Sequence, residues 1–110
     1  MTVLLGCSQV RLETVDAVLD TGAGPNLVRE SLLPKNWHRY AHRLRESPRI
    51  RDANNRRLKV EGTISMYVDM GGHRLRASFL VCRDLAVPAI LGCEFIQRFV
   101  ETIFSPREQS

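Results

Sequence analysis

Residues 63–81, TISMYVDMGGHRLRASFLV, alternate apolar and polar side chains with a period of two on both sides of a Gly-Gly pair. Ile64, Met66, Val68 and Met70 fall on one face, with Ser65, Tyr67 and Asp69 on the other. After Gly71-Gly72 the pattern resumes, with Leu75, Ala77, Phe79 and Val81 opposite Arg74, Arg76 and Ser78. A helical period of 3.6 would scatter these apolar groups around the axis, whereas a strand collects them on one side. The stretch therefore predicts an antiparallel hairpin with one buried face, closed by the Gly-Gly turn. The chain around it has 110 residues and no shift of composition that divides it, so one domain spanning 1–110 is expected. A chain of this size buries only about two-thirds of its extended surface, so its core is small and association with a second copy would enlarge it.

The remaining elements follow from the same signals. RIRDANNRRLKV (49–60) predicts a second hairpin, because Asp52, Asn54 and Asn55 tolerate the backbone angles of a turn while Leu58 and Val60 alternate with Lys59 and Glu61. Its arginines and its lack of a continuous apolar face predict that it projects from the core as a mobile flap. LVRESLLP (27–34) predicts a short helical turn stopped by Pro34, and CEFIQRF (93–99) a short helix with Phe95, Ile96 and Phe99 on one side. VETIF (100–104) reads as a last strand, and 35–48 is compatible with loop or helix. The fold class is mostly β with one or two short helices.

Charge and cysteine content narrow the function classes. The net charge is +4, and residues 35–59 carry nine Lys or Arg against two acids. Such a run reads as a solvated surface; it lacks the interleaved aromatics of single-strand binders, which argues against nucleic acid as the partner. The three cysteines, Cys7, Cys82 and Cys93, are odd in number and form no C-x-x-C or Cys/His ligand spacing. They read as small hydrophobes or free thiols in a reducing, intracellular setting, with no metal, cofactor or disulfide expected. TVLLG (2–6) is too short for a signal peptide or a membrane span, so no membrane partner is expected, and the polar end SPREQS (105–110) reads as a frayed tail or the edge of a longer chain. His38, His42 and His73 lie outside the motifs below, and Trp37 and Tyr40 read as packing or rim residues.

The chemistry concentrates in AVLDTGAG (17–24). Ala17, Val18 and Leu19 end a buried strand, and Asp20-Thr21-Gly22-Ala23-Gly24 form a glycine-rich turn. Gly22 allows a close backbone approach, and Thr21 offers a hydroxyl and an N–H to anchor the turn. A D-T-G tripeptide alone is weak evidence, since composition produces it in roughly 2% of chains this long. A second feature raises its weight: PAILGCEF (88–95) is another apolar strand running into Gly92 and a short helix.

Together these segments resemble the retropepsins, the aspartic proteases of retroviruses and LTR retrotransposons. That family carries an apolar-apolar-Asp-Thr/Ser-Gly-Ala loop, a flap hairpin, and an Ile-(Ile/Leu)-Gly strand feeding a helix. Here the corresponding segments are VLDTGA (18–23), RIRDANNRRLKV (49–60) and AILG (89–92), in that order and over nearly the whole chain. The likeness is greatest to Ty3/gypsy-like elements, where an AN flap tip and an ILGxDF segment recur. Two positions depart from the pattern. Cys93-Glu94 stands where the family has one variable residue and then Asp or Asn, and Gly24-Pro25 stands where many viral relatives carry acidic residues that contact the substrate backbone.

The resemblance implies a closed β-barrel of the acid-protease fold and an endopeptidase that processes a retroelement polyprotein. The chemistry needs two carboxylates sharing a proton, one ionised to deprotonate water and one protonated to polarise the scissile carbonyl. Asp16, Asp52, Asp69 and Asp84 are not followed by Thr/Ser-Gly, so the chain has a single D-T-G. A homodimer would bring two Asp20 residues together on a two-fold axis, making each chain half of the enzyme. The resemblance assigns Asp20, Thr21 and Gly22 to the catalytic loop, with Thr21 bonded across the axis and VETIF in an intersubunit sheet. Peptide substrate would lie over Gly22, Ala23 and Gly24, beneath a flap tip of Asp52, Ala53, Asn54 and Asn55. A retropepsin-fold dimerisation or peptide-binding module without activity is the alternative.

Overall fold

The computed structural model describes residues 1–42, 44, 48–52 and 54–104. In chain order these form β1 (Thr2–Ser8), β2 (Arg11–Leu19), β3 (Asn26–Arg29), β4 (Ala41–His42), β5 (Ile50–Arg51), β6 (Arg57–Leu58), β7 (Val60–Met70), β8 (His73–Cys82), β9 (Ala89–Leu91) and α1 (Cys93–Phe104). Single 3-10 turns occupy Glu30–Leu32 and Trp37–Arg39.

The alternating segment forms the β7–β8 hairpin, in continuous antiparallel register from Gly62↔Val81 to Met70↔His73. Gly71 and Gly72 hold φ of +61° and +86°, the left-handed pair that a two-residue hairpin turn requires and that a side chain would disfavour. As the period-two pattern predicts, Ile64, Met66, Val68 and Met70 are buried, as are Ala77, Phe79 and Val81 across from them.

Pairing in the order β1-β2-β9-β3-β8-β7, with β7 returning to β1, closes a six-stranded barrel, and β4 adds to β7 outside the ring. The barrel is mixed. β9 inserts between β2 and β3, parallel to the first and antiparallel to the second, and β3 runs parallel to β8. The chain is thus mostly β and closed into a barrel, as the resemblance implies. Closure leaves the long strands without free edges, which suppresses non-specific strand pairing.

One core cluster fills the barrel, with Phe79, Val28, Val68, Leu91 and Phe95 at its centre. Trp37 belongs to it, stacked on His38 and lying over Gly62, whereas Tyr40 is exposed. A second cluster of Leu27, Leu58, Cys82 and Leu85, with Ile50 and Ile90 against it, lies under the small β5–β6 ribbon. The 49–60 hairpin therefore forms, and it is a separate two-stranded sheet. It is anchored through Leu58 and Ile50, however, where its mixed sequence had suggested simple projection.

One predicted element is corrected. Residues 100–104 are the last turns of α1 and form no strand. Phe95, Ile96, Phe99, Val100 and Ile103 repeat at helical spacing, and nothing between Cys93 and Phe104 interrupts the ladder. Five residues read alone as a strand thus belong to the longer helical period, and no intersubunit strand is formed by VETIF. The SPREQS tail lies outside the described residues.

Candidate active site

Asp20 stands directly after β2, where the strand leaves the barrel. Its main-chain N–H donates to the Leu91 carbonyl at 3.0 Å, and its carbonyl accepts the Ala23 N–H at 3.1 Å, closing a tight turn. Its carboxylate Oδ1 accepts the Gly22 N–H at 2.9 Å. The side chain is exposed, as are Thr21, Gly22 and Gly24, while Ala23 is half-buried. Gly22 does not adopt positive φ; a Cβ there would stand 3.2 Å from the Asp20 Oδ1 that its N–H binds.

Three consecutive residues at the end of β9 grip this loop. Leu91 accepts from Asp20, Gly92 N–H donates to Asn26 Oδ1 at 2.8 Å, and Cys93 N–H donates to the Ala23 carbonyl at 2.8 Å. Gly92 is wedged so tightly that a Cβ would come within 2.5 Å of the Pro25 carbonyl, 2.6 Å of the Gly24 carbonyl and 2.9 Å of the Ala23 carbonyl. Only glycine lets the two segments meet this closely. The AILG motif is thereby explained: apolar residues enter the sheet beside Ala17–Leu19, and Gly92 makes room for the Asp20 loop.

Asn26 is the residue that sequence reasoning missed. At 7% exposure it is the one buried polar side chain among the described residues, and both ends of its amide are used. Oδ1 takes the Gly92 N–H and Nδ2 donates to the Ser78 carbonyl at 3.0 Å, tying β9 to β8 beneath the loop. A buried amide so placed satisfies two main-chain groups that would otherwise be costly. The signal available in sequence was an Asn heading the apolar run NLV, six residues beyond Asp20. The departure at Cys93-Glu94 fits this arrangement. Glu94 is exposed in the first turn of α1, where a carboxylate suits the helix dipole, and Asn26 supplies the interior bonds.

The hairpin tip is a second constellation. Asp52 exchanges main-chain bonds with Asn55 and Arg56, and its Oδ1 accepts the N–H groups of Asn54 and Arg56 at 2.9 and 2.8 Å. Asn55, at φ 62°, adopts the left-handed conformation that Asn tolerates. Ala53 lies outside the described residues. Among these no hydrogen bond joins the tip to the Asp20 loop, so one chain holds the two as separate parts. At the foot of the hairpin, Arg83 lies 3.2 Å from Glu61 and 3.5 Å from Glu30, and Glu30 also accepts the Trp37 Nε1–H at 3.2 Å. The Glu61 oxygen makes no well-directed hydrogen bond, so its contact with Arg83 is one of charge.

A cavity of about 540 Å³ lies elsewhere, around Leu5, Cys7, Arg11, Leu33 and Met66, and includes none of the Asp20 loop. Around Asp20 the surface is open, and the preceding Val18 and Leu19 are 42% and 43% exposed although apolar. No group of three or more His, Cys, Asp or Glu with metal-binding geometry occurs among the described residues, and no described helix is long and apolar enough to cross a membrane. The three cysteines are free. Burial pushes the Cys82 thiol up to about 11 and also raises that of Cys7.

Comparison with known proteins gives a consistent result. A family model described as retroviral aspartyl protease matches residues 3–103. The EIAV protease, solved with the inhibitor HBY-793, superposes with a TM-score of 0.60 at 20% identity, over 91% of this chain and 86% of its own. The retroviral protease-like domain of Ddi1 from Leishmania major superposes with a TM-score of 0.62 at 22% identity, over 88% of this chain and 74% of its own. At these identities the likeness speaks for the fold. None of the curated proteins compared matches this chain.

Proposed function

We propose that this chain, which belongs to the retroviral aspartyl protease family, is one half of a homodimeric aspartic endopeptidase whose catalytic pair is Asp20 and the same residue of a second copy. The observation that carries this reading is the clamp of Leu91, Gly92 and Cys93, which presents one exposed carboxylate on a rigid loop. A single D-T-G gives one carboxylate per chain, and the reaction needs two. The exposed apolar pair Val18-Leu19 beside Asp20 supports a partner seated at this edge.

In the dimer the two carboxylates share a proton, and apparent pKa values belong to the pair. The ionised member takes a proton from the water lying between them. The resulting nucleophile attacks the scissile carbonyl carbon, and the protonated member donates to the carbonyl oxygen, giving a tetrahedral diol. The first carboxyl then passes the proton it took from water to the leaving nitrogen, while the second takes one back from a diol hydroxyl. The C–N bond breaks to amine and acid, and the pair returns to its starting state. In this reading Gly22 and Ala23 hold the loop shape, and Thr21 bonds across the two-fold axis of the proposed dimer. Substrate binds extended over Gly22, Ala23 and Gly24, with Asp52, Asn54, Asn55 and Ala53 closing over it from the flap. The substrate class is polypeptide, with retroelement polyprotein processing in an intracellular setting as the biological role.

Cleavage of a peptide library at mildly acidic pH, by wild type and Asp20→Asn, with and without pepstatin, tests the reading. Wild type should cut and be inhibited, and the variant should lose roughly 10²–10⁴-fold or more. Equal cleavage by the Asn variant sinks the mechanism. A folded wild-type dimer that cuts nothing leaves the non-catalytic peptide-binding module in its place.

A further inference from the structure

We propose that the paired strands β5 and β6, with the cations flanking them, select acidic polypeptide: substrates carrying Asp or Glu on either side of an apolar scissile segment. This deepens the proposed function and rests on its reading of the hairpin as a substrate cover.

The ribbon is two-faced. Ile50 and Leu58 are paired across the ladder and turn toward the second apolar cluster. Arg51 and Arg57 are paired one step on, both exposed. Like charges directly opposite on neighbouring strands weaken a ribbon, and this ladder is only two pairs long. Arg49, Arg56 and Lys59 extend the same charge, and all are exposed. Asp52 is the one described carboxylate of the hairpin, and its Oδ1 is committed to the N–H groups of the tip. Five cations against one carboxylate make this small element equal to the +4 of the entire chain.

The described ion pairs lie elsewhere, at Asp16 with the N-terminus, Asp69 with Arg74, and Glu30 and Glu61 with Arg83; none involves these five cations. Among the described residues no carboxylate of the chain pairs with this charge, which leaves it open to an acidic ligand. The ligand's chemistry follows from the neighbourhood. Half-buried Ile50, Val60, Leu80, Val87 and Ile90 adjoin the second cluster, so the cationic rim borders an apolar floor. An extended peptide with apolar residues at its centre and carboxylates to either side satisfies both. Residues 49–59 contain no aromatic side chain on which a nucleobase would stack, which favours peptide over nucleic acid.

The test uses three peptides with one apolar core, flanked by Glu, by Gln or by Lys. kcat/KM is measured at about 0.05 M and about 0.5 M salt for wild type and for Arg51→Glu/Arg57→Glu. Arg51→Gln/Arg57→Gln replaces the reversal if that does not fold. Binding of the same peptides to Asp20→Asn is followed by fluorescence anisotropy. We expect the Glu-flanked peptide to be preferred over the Gln-flanked one about tenfold at low salt, as for a few exposed charge contacts. The preference should shrink at high salt and invert in the charge reversal. Equal kcat/KM for all three peptides overturns the selector and leaves the protease standing. No cleavage, with salt-sensitive and hairpin-dependent binding of the Glu peptide to Asp20→Asn, supports the selector and overturns the protease. A 20-base oligonucleotide that displaces the Glu peptide at lower concentration than polyglutamate overturns the choice of partner, and absence of both cleavage and binding overturns the proposal outright.

Discussion

The loop carrying Asp20 and the ribbon carrying Asp52 are both short polar turns between strands, yet they are secured in opposite ways. The Asp20 loop is gripped from below by main-chain bonds from Leu91 and Cys93 and by the buried Asn26 that holds Gly92. The ribbon has two paired positions, a tip organised by its own Asp52, and one buried side chain, Leu58, as its main attachment. The difference is what the proposed catalysis would require. A carboxylate gains from being held in place before the reaction, whereas a cover over substrate has to open at small cost.

Substitutions on each side of this contrast can break it. Gly92→Ala should have the largest effect, because three carbonyls lie within 2.9 Å of the new methyl and none is a flexible side-chain end. A loss of about 3 kcal/mol and a Tm drop of more than about 10 °C are expected in thermal unfolding. Asn26→Ala should cost about 2 kcal/mol by stranding the Gly92 N–H and the Ser78 carbonyl. As a positioning residue it should also lower kcat and shift the pH profile well below its Tm, which a purely structural role would not do. Asp52→Ala should cost only about 0.5–1 kcal/mol, since the bonds it loses are exposed. Its effect should fall on KM. If Asp52→Ala proves as destabilising as Gly92→Ala, the contrast between a fixed loop and a light cover fails.

The cysteines give the smallest and most local effect. Cys93 is exposed beside the loop, while Cys82 is buried, with its thiol pushed up to about 11. Alkylation near pH 8 should label Cys93 first and leave Cys82 unmodified while the chain is folded. Unfolding lets Cys82 lose its proton nearer the ordinary value of 9.0. Its contribution to stability is therefore complete below about pH 9 and lost as pH rises toward 11. A urea midpoint that does not fall across that window for wild type relative to Cys82→Ala contradicts this.

Much of the architecture was legible because strand faces write themselves at period two. Residues 63–81 specified a hairpin, its turn and its buried side with no knowledge of what it packs against. The 49–60 hairpin was legible through its turn chemistry, but its attachment was not. Leu58 reads as one apolar residue among cations until Cys82, Leu27 and Leu85 arrive beside it from distant strands. Residues 100–104 misled for a related reason. Five residues are too few to tell strand from helix, and continuity with Cys93–Phe99 decided for the helix.

At the site the division has the same cause. The order of residues alone identified Asp20-Thr21-Gly22, its place at the end of an apolar strand, and the absence of a second such triplet, because these are properties of chemical type and spacing. Tertiary structure decided that β9 inserts between β2 and β3, and that Gly92 must therefore be small. It also decided that Asn26 joins groups 66 and 52 residues away. Contacts of that kind arise only when the barrel closes, since the energy of a buried hydrogen bond belongs to the partners that folding brings together and not to the residue that carries the amide.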